Sequence, residues 1–417
     1  MLEAMKRTLE QVKNIPGLMT PEELSLLCRM ARSASSILEL GCFKGRSLAA
    51  MGLSNPGASL YGIDWFGDMS HRGYQGSTLE ETRGNIENCL RANSTLTPAL
   101  SQREREVEFL VGRTDEVVDQ FEHQVDLLHI DAGHSYEECT NDLNNYVPKV
   151  NAGGAVCIHD YGKARKTELD RPEVQQAVDD WRNPDWVEVE RAGTMIAFRN
   201  LVAEQGVLYV AYGEKAVSNV ENSIRTIKKF ARNLPIAVIS DQKVDGADHH
   251  ILHVDIDPGA RAAKTRMYSL SPFRKTLFLD ADTEVLANPE HGFRMLERVD
   301  MVMAQDPVRI FNQTTWPALN QEEVRVTKSE TAGGEFNYYN TGVVYFRRNQ
   351  AVQQLMQAWH AEWTRWAKQD QPGMFRAMFN NPVRIASMRA PWNTHLKDVA
   401  KFVYHAHRRA SRAGAPR

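Results

Sequence analysis

One pattern constrains the fold of this chain more than any other, and it occurs twice: a short apolar run ends in a glycine-bearing loop and an amphipathic stretch follows. Residues 36–40 (SILEL) run into Gly41, and residues 207–211 (VLYVA) run into Tyr212 and Gly213. After the second run, residues 214–232 place apolar side chains at helical spacing. Strands that alternate with such helices form parallel sheets, so the pattern predicts an α/β fold in both halves.

Further apolar runs of strand length occur in each half. In the first half they are 59–63, 107–111, 126–130, 154–158 and 194–198. In the second half they are 235–239, 250–254, 276–280, 300–304 and 342–346. Because 417 residues exceed one ordinary core, we predict two domains, 1–203 and 204–417.

Composition excludes several classes of protein. The chain is 42% apolar and 25% charged, as soluble globular proteins are, and no apolar run reaches the length of a membrane helix. A net charge of −3 disfavours nucleic acid as a partner of the whole chain. The 5 cysteines have no CxxC spacing, which argues against a disulfide scaffold or a cysteine-zinc site. We therefore expect a cytoplasmic protein.

The loop after residues 36–40 has the features of a nucleoside site. Glycines at a strand-to-helix turn allow a ligand to approach the main chain closely. The next run ends in Asp64, and an acidic side chain there can accept both hydroxyls of a ribose. The glycine spacing is neither GxGxxG nor GxxxxGK[ST], which favours a nucleoside without a pyrophosphate over NAD or ATP.

Acidic residues and histidines follow two later strands of the first half. Asp131 and His134 come after the run at 126–130, and His159 and Asp160 after the run at 154–158. The carboxyl ends of parallel strands meet at one edge of a sheet, so these side chains should converge. Two carboxylates and a histidine suit a divalent cation, with Asp131, His159 and Asp160 as ligands. His134 is then placed to take a proton as a general base.

The strings ELGCFKGRS, YGID, IDAGHSYEECTNDL and GGAVCIHDY, in this order, resemble the class I S-adenosylmethionine-dependent methyltransferases with a Rossmann-like sheet. Within that group they look like metal-dependent sugar O-methyltransferases and cephalosporin-hydroxylase-like proteins, over residues 25–200. The resemblance implies magnesium at Asp131, His159 and Asp160. It implies S-adenosylmethionine at Glu39, Gly41, Gly45, Ser47 and Asp64. Residues 65–85 are interpreted as a lid over the acceptor, with a surface insertion as the alternative.

In the second half the strand at 276–280 ends in two carboxylates, Asp280 and Asp282. At a strand end that turns, both can reach one Mn²⁺ or Mg²⁺ ion. Such an ion bridges a diphosphate and neutralises the charge on a departing nucleoside diphosphate. The motif therefore predicts a metal-diphosphate site.

The segments around this motif, among them AVISD, YYNTGVVYF and DQPG, resemble the A-type-fold glycosyltransferases, and in particular family-8-like enzymes related to glycogenin and bacterial galactosyltransferases. The resemblance covers residues 205–410 and implies a nucleotide-diphosphate sugar as donor, with a UDP-sugar as the first choice. The residues that it implies for the nucleoside are Tyr209, Ala211, Tyr212 and Asp241. Those that it implies for the diphosphate, the sugar and the acceptor side are Lys264, Asn340, Thr341, Gly342, Asp370 and Gln371.

The resemblance also implies a late histidine as third metal ligand. His405 in FVYHAHRR is the choice, with His407 and His395 as alternatives. The Lys-Pro-Trp that usually follows this histidine is missing, and Arg408 or Arg409 could replace its lysine.

Together these patterns predict a bifunctional enzyme that transfers a sugar to an acceptor hydroxyl and methylates a hydroxyl, on a small molecule or glycan. Three alternatives remain open: a glycosyltransferase with a non-catalytic, acceptor-binding first half; a hydrolytic or hydroxylating first half; and a phage-type enzyme that decorates nucleic-acid bases. No residue of the sequence can be assigned with certainty as a nucleophile for glycosyl transfer, which fits a mechanism that retains the anomeric configuration of the sugar. A homo-oligomer is also left open.

Overall fold

The computed structural model of this chain describes residues 2–67, 76–92, 107–162, 172–252, 260–306, 321–331, 333, 337–395 and 397–405. The chain forms two compact units. The first comprises Met1–Val202 with Leu252–Asp257, and the second Ala203–Ile251 with Pro258–Arg417. That each half folds independently, with the boundary at 203/204, stays a prediction.

The first unit alternates helices and strands along most of its length. Its strands are β1 (Ser36–Leu40), β2 (Ser59–Asp64), β3 (Val107–Val111), β4 (Val125–Ile130), β5 (Val150–Ile158), β6 (Trp186–Ala192) and β7 (Met195–Asn200). Its helices are α1 (Leu2–Val12), α2 (Pro21–Ala31), α3 (Arg46–Ser54), α4 (Leu79–Ala92), α5 (Thr114–Val117), α6 (Tyr136–Tyr146) and α7 (Pro172–Trp181).

The strands of the first unit form one sheet in the order β3-β2-β1-β4-β5-β7-β6. β1 to β5 are parallel to one another, as the sequence predicts. β7 runs antiparallel to β5, and β6 antiparallel to β7. Alternate side chains of β1 belong to two different apolar clusters, with Ile37 in one and Leu38 in the other, so both faces of the sheet are covered.

The second unit begins with a strand directly after the first sheet. Its strands are β8 (Ala203–Ala211), β9 (Ile236–Ser240), β10 (His249–Leu252), β11 (Phe273–Leu279), β12 (Thr283–Val285), β13 (Met301–Gln305), β14 (Tyr339–Arg347), β15 (Ile385–Met388), β16 (Asn393–Thr394) and β17 (Val403–His405). Its helices are α8 (Glu214–Ile227), α9 (Ala260–Thr265), α10 (Met267–Leu270), α11 (Glu290–Met295), α12 (Gln321–Glu330), α13 (Gln350–Trp366) and α14 (Asp370–Asn380).

These strands form a seven-stranded sheet and a three-stranded sheet. The larger has the order β10-β9-β8-β11-β14-β13-β15, and β14 is antiparallel to both of its neighbours. The smaller has the order β12-β17-β16 and carries His405 opposite Thr283. The mixed α/β fold, with a seven-stranded sheet in each unit, agrees with the fold class predicted from the sequence.

Helix α13 shows how packing in the second unit positions a polar residue. It begins after Asn349, whose side chain caps the helix by accepting a hydrogen bond from the Val352 N–H at 2.9 Å. Trp359 and Trp363 are fully buried, as their helical spacing predicts. The indole N–H of Trp359 donates to the main-chain oxygen of Asp370 at 2.7 Å and so fixes the start of α14. None of the helices in the described part of the chain is long and apolar enough to cross a membrane.

Candidate functional sites

Asp131, His134 and Asp160 form a cluster at the carboxyl edge of the first sheet. Asp131 follows β4, and its N–H donates to Leu40 O at 2.9 Å, which ties it to the end of β1. Asp160 follows β5 with a φ of 59°, in the left-handed region that non-glycine residues seldom adopt. One ligand atom from each of the three residues lies within 4.8 Å of the others. His134 Nε2 is 2.8 Å from Asp160 Oδ2 and 3.9 Å from Asp131 Oδ1.

His159, which the sequence predicts as a metal ligand, lies among three carboxylates. Its ring is 8% exposed and lies between carboxylates. Nδ1 is 3.2 Å from Asp131 Oδ1 and 3.4 Å from Asp160 Oδ1, while Nε2 is 3.4 Å from Glu23 Oε2. Burial alone would lower the pKa of His159, but Asp131, Glu23 and Asp160 outweigh it and raise that pKa to about 11. The group of three residues whose ligand atoms lie close enough to surround one ion contains His134 and does not include His159.

Glu23 is the residue of this region that the sequence analysis missed. It lies at the start of α2, in a capping box with Thr20, and its side chain is 4% exposed. Burial would raise its pKa, but hydrogen bonds from His159, Thr20 and Thr194 hold that pKa well below its usual range. The string TPEE signals the helix start, yet nothing local in it indicates a partner at residue 159.

The residues predicted to hold S-adenosylmethionine lie at the ends of β1 and β2, in the loop after β1 and at the start of α3. Glu39 is fully buried, and its Oε1 is 2.8 Å from Nδ1 of the equally buried His129 on β4. Burial raises the pKa of the Glu39 carboxyl above its ordinary value, against the opposing effect of His129. Ser47 lies in the first turn of α3 and is buried.

Two glycines of the loop after β1 have a conformation that requires glycine. Gly41 and Gly45 both have a φ of 83°. A Cβ on Gly41 would lie 2.1 Å from the main-chain oxygen of Asp131, so the loop passes directly over the end of β4. Gly41 therefore allows the predicted nucleoside loop and the acidic cluster to be neighbours.

Asp64, at the end of β2, is already engaged by main-chain donors. Phe43 N–H donates to Oδ2 and Phe66 N–H to Oδ1, each at 2.8 Å. Burial raises the pKa of Asp64, and these N–H groups oppose that rise. Each carboxylate oxygen has a second lone pair, so Asp64 keeps the capacity to accept hydroxyl groups.

The second cluster consists of Asp280, Asp282 and His405. Asp280 follows β11, and β17 brings His405 beside it from far along the chain. One ligand atom of each lies within 4.8 Å of the others, and His405 Nδ1 is 3.7 Å from Asp282 Oδ1. The structure thus brings together the three residues that the sequence predicts as metal ligands in this half.

Lys264 connects this cluster to Asp370. Its Nζ is 2.9 Å from Asp280 Oδ1 and 2.9 Å from Asp370 Oδ2. Burial would lower the pKa of Lys264, but the two carboxylates outweigh it and raise that pKa. Thr341 Oγ1 also donates to Asp370 Oδ2 at 2.7 Å. Asp370 is therefore held from two sides with its pKa below the usual range, because Lys264 outweighs burial.

The orientation of the Gln371 amide follows from its neighbours. Its Nε2 is 2.8 Å from the Tyr339 main-chain oxygen and 3.1 Å from Asp306 Oδ2. A main-chain carbonyl and a carboxylate only accept hydrogen bonds, so the NH₂ end of the amide must face them. This fixes both donors of Gln371 and leaves its carbonyl oxygen as the group that can meet a ligand.

Gly342 borders the ligand atoms of the second cluster. A Cβ there would lie 2.5 Å from Asp280 Oδ2 and 2.5 Å from His405 Cε1, so any larger residue would intrude between them. Gly342 N–H donates to Asn340 Oδ1 at 2.7 Å, and Asn393 Nδ2 donates to the same oxygen at 3.0 Å. The stretch of β14 at residues 340–342 therefore keeps space open beside Asp280.

The residues predicted to bind the nucleoside differ in exposure. Asp241 accepts the Gly213 N–H through both carboxylate oxygens at 3.1 Å, which places it at the loop after β8. Tyr212 is half-buried in that loop, and Ala211 is buried just before it. The ring of Tyr209 lies in the core, with its hydroxyl 2.9 Å from Ser223 Oγ, so any contact from Tyr209 to a ligand would have to use its main chain.

Some predicted residues lie outside the described part of the chain. They are residues 68–75 of the predicted lid, His407, and the replacement cations Arg408 and Arg409.

Both clusters suit a divalent cation by the chemistry of their donors. Each offers two carboxylates and one imidazole, and a separation of up to 4.8 Å between donor atoms is about twice a typical bond from oxygen to Ca²⁺, Mn²⁺ or Mg²⁺. The gap kept by Gly342 adds room for such an ion or its ligand in the second cluster. Each site is therefore able to gather a cation at the carboxyl edge of a sheet.

One segment in each half of the chain matches a protein-family model. A model described as a methyltransferase domain matches residues 38–161, and one described as a nucleotide-diphospho-sugar transferase matches residues 275–392. The chain is a two-domain transferase. Its first matched segment includes Glu39, Asp131 and Asp160, and its second includes Asp280 and Asp370. A search of curated proteins found no match for this transferase.

Solved structures similar to this transferase include several O-methyltransferases. NovP is 20% identical, with 43% of this chain and 80% of that chain covered and a TM-score of 0.33. TomG from Streptomyces achromogenes, solved with SAM, is 16% identical, with 48% and 89% covered and a TM-score of 0.32. CalS11, a TDP-rhamnose 3′-O-methyltransferase, is 16% identical, with 48% and 93% covered and a TM-score of 0.31. At these scores the likeness carries no argument about the chemistry of this chain.

Proposed function

We propose that the first unit transfers a methyl group from S-adenosylmethionine to an acceptor hydroxyl, and that the second transfers a sugar from a nucleotide-diphosphate sugar to an acceptor hydroxyl. One observation carries the proposal: each half has its own cluster of two carboxylates and a histidine, and each matched family segment contains the two carboxylates of its cluster. A glycan or a glycosylated small molecule would supply both hydroxyls.

In the first unit, Asp131, Asp160 and His134 form the proposed ligand set for Mg²⁺ or Mn²⁺. When bound, the cation supplies a positive charge that lowers the pKa of an adjacent hydroxyl. Asp64 and the loop at Gly41 hold the nucleoside of the methyl donor. The acceptor oxygen forms the new bond to the methyl carbon, the sulfonium bond breaks, and the hydroxyl proton is lost to water.

The histidine of this ligand set has a competing role, because the sequence predicts His134 as a base. His134 Nε2 lies 2.8 Å from Asp160 Oδ2, and Nδ1 is buried, which favours a ligand over a base. His134→Ala should therefore weaken Mn²⁺ binding about as much as Asp131→Asn does. A His134→Ala protein that binds Mn²⁺ normally but has lost methyl transfer would instead support the base.

In the second unit, Asp280, Asp282 and His405 form the proposed ligand set. A cation there would neutralise charge on the departing nucleoside diphosphate. Lys264 and Asp370 hold each other beside this point, and Asp370 and Gln371 face the sugar that is transferred. The Gln371 carbonyl oxygen can accept a sugar hydroxyl or lie against the carbon that loses the diphosphate.

Separate assays of the two reactions test the proposal. Methyl transfer is followed from labelled S-adenosylmethionine, and nucleotide-sugar hydrolysis from a panel of donors with Mn²⁺. Asp131→Asn should lower methyl transfer by about 10²-fold or more and leave donor hydrolysis intact, and Asp280→Asn should do the reverse. If the wild-type protein neither binds S-adenosylmethionine by calorimetry nor methylates any acceptor in the panel, the bifunctional proposal fails.

A further inference from the structure

The side chain of Glu23 is more fully engaged than a helix cap requires. Its Oε2 accepts the N–H of Thr20 at 2.8 Å and the Thr20 hydroxyl at 3.0 Å, which completes the capping box of α2. Its Oε1 accepts the N–H of Thr194 at 2.7 Å and the Thr194 hydroxyl at 2.9 Å. A cap uses only the first pair, so the second pair needs another explanation.

The turn between β6 and β7 is shaped around this carboxylate. Gly193 has a φ of 56°, and a Cβ at that position would lie 2.4 Å from Glu23 Oε1. The turn therefore has a glycine where a side chain would displace Glu23, and a threonine where two donors can hold it. Four donors on two oxygens leave Glu23 one orientation.

The imidazole of His159 connects this fixed carboxylate to the first cluster. Nε2 faces Glu23 Oε2 at 3.4 Å and Thr194 Oγ1 at 3.5 Å. Because Nε2 is directed toward Glu23, the opposite edge of the ring presents Nδ1 to Asp131 Oδ1 at 3.2 Å and to Asp160 Oδ1 at 3.4 Å. The other carboxylate oxygen of Asp160, Oδ2, is the one beside His134.

We propose that Glu23 and His159 are positioning residues for the cation site of the first unit: Glu23 orients His159, and His159 lies against Oδ1 of both Asp131 and Asp160, which holds the two carboxylates at the site and leaves Asp160 Oδ2 to face the ion. This inference rests on the proposed ligand set. It assigns a functional contact to α2, which lies outside the segment 38–161 matched by the methyltransferase model. It also replaces the ligand role predicted for His159.

Mn²⁺ affinity tests this role without any assay of methyl transfer. The full chain is used in an Asp280→Asn, Asp282→Asn background, so that only the first cluster titrates, and free Mn²⁺ is measured by electron paramagnetic resonance. Glu23→Gln and His159→Gln should each weaken Mn²⁺ binding about 10- to 100-fold, the usual cost of removing a residue that orients a ligand. Glu22→Gln, at the exposed neighbouring position of the same helix turn, should bind as the parent does.

A double-mutant cycle tests whether Glu23 acts through His159. The Glu23→Gln, His159→Gln protein should bind Mn²⁺ no more weakly than His159→Gln alone, because the second change removes a contact that is already without effect. If the loss of Mn²⁺ affinity in the double variant equals the product of the losses in the two single variants, the inference is overturned. Parental Mn²⁺ affinity in Glu23→Gln would overturn it as well. Equal losses in His159→Gln and Asp131→Asn would also overturn it, because they would make His159 a ligand.

Two further measurements keep the outcomes distinct. If Glu23→Gln does not fold, Thr194→Val replaces it: this change keeps the side-chain shape, removes one donor to Glu23, and should weaken Mn²⁺ binding severalfold. Unchanged affinity in Thr194→Val, with a partial loss in His159→Gln, would refute the role of Glu23. If Asp131→Asn binds Mn²⁺ as the parent does, the proposed cation site itself is wrong, which is a different failure.

Discussion

The cluster in each unit consists of two carboxylates and a histidine, but the basic side chain that contacts the carboxylates differs between the two. In the first, His159 lies against Asp131 and Asp160 and is held by Glu23 on α2. In the second, Lys264 joins Asp280 to Asp370, a residue predicted to face the sugar. The first cluster is therefore in contact with a helix of its own unit through His159 and Glu23, whereas the second is connected through Lys264 to a residue that is predicted to face the transferred sugar.

The largest expected difference comes from removing the lysine. Lys264→Met leaves two carboxylates facing each other without their shared amine, and breaking a buried ion pair in this way costs about 3–5 kcal/mol. Chemical denaturation should show this loss in the transition of the second unit. Lys275→Met is the control, since Lys275 pairs with exposed Glu204 and Glu297 and should cost at most about 1 kcal/mol. Equal losses in both variants would show that Lys264 does not act as a buried bridge.

One buried carboxylate in each unit, Asp142 in the first and Asp300 in the second, should also change stability with pH in opposite directions. In the first unit, burial raises the pKa of Asp142 from 3.8 to about 7. Asp142 then binds its proton more tightly in the folded state than in the unfolded state, so its contribution to stability is greatest below pH 4 and falls as pH rises to about 7, by up to about 4 kcal/mol. Asp142→Asn should remove this slope.

The pKa of Asp300 in the second unit is shifted in the opposite direction. Burial would raise its pKa, but hydrogen bonds from Arg384, Arg347 and Asn349 outweigh this and hold that pKa well below its usual range. Its contribution to stability is present above pH 4 and is lost as pH falls further. Unfolding temperatures between pH 3 and pH 8 check both. If the dependence of the unfolding temperature on pH is the same in Asp142→Asn as in the parent, the expectation for Asp142 is wrong. The expectation for Asp300 is wrong if Asp300→Asn leaves that dependence unchanged.

A smaller effect is expected at the gap beside the second cluster. Gly342→Ala would place a methyl group 2.5 Å from Asp280 Oδ2 and from His405 Cε1. Displacing these side chains by a fraction of an ångström should reduce donor hydrolysis about 100-fold with methyl transfer unchanged. Gly84→Ala, on α4 with open space around it, should leave both activities as they are. Normal donor hydrolysis in Gly342→Ala would place the reaction elsewhere.

The smallest effect is expected at Asp306. Asp306→Asn can present an NH₂ group to Gln371, so the main-chain oxygen of Tyr339 is left as the one of these two partners that can only accept, and the amide of Gln371 is held less firmly in one orientation. We expect kcat for sugar transfer to fall about 10-fold with KM for the donor nearly unchanged, because orientation in the transition state is lost rather than binding. A change in KM alone would indicate that Asp306 contributes to binding.

The sequence predicts the strand ends better than it predicts the partners found there. Asp131, Asp160, Asp280 and Asp282 could be identified because an apolar run followed by an acidic residue is a local signal. The Glu23–His159 contact joins residues 136 positions apart through a turn at Thr194, and no local pattern contains it. The same limit applied to β6 and β15, whose residues are only partly buried and so lack a continuous apolar run.

Tyr209 shows what sequence position alone leaves open about a side chain. It is in β8, just before the predicted nucleoside loop. Strand residues alternate between faces, and this one points into the core toward Ser223. The face of the sheet to which the Tyr209 side chain belongs depends on the packing of α8, which carries Ser223, and cannot be inferred from the sequence of β8 alone.

The two main-chain donors to Asp64 bear on any attempt to make this enzyme more heat-resistant. Phe43 and Phe66 adopt φ values of 47° and 49°, and each directs its N–H to a different oxygen of Asp64. Glycine at either position would relieve roughly 1 kcal/mol or more of backbone strain in the native state. It would also give the unfolded chain more freedom and loosen the donor that holds Asp64. Thermostability engineering at this loop would thus exchange backbone strain for a less ordered Asp64 carboxylate.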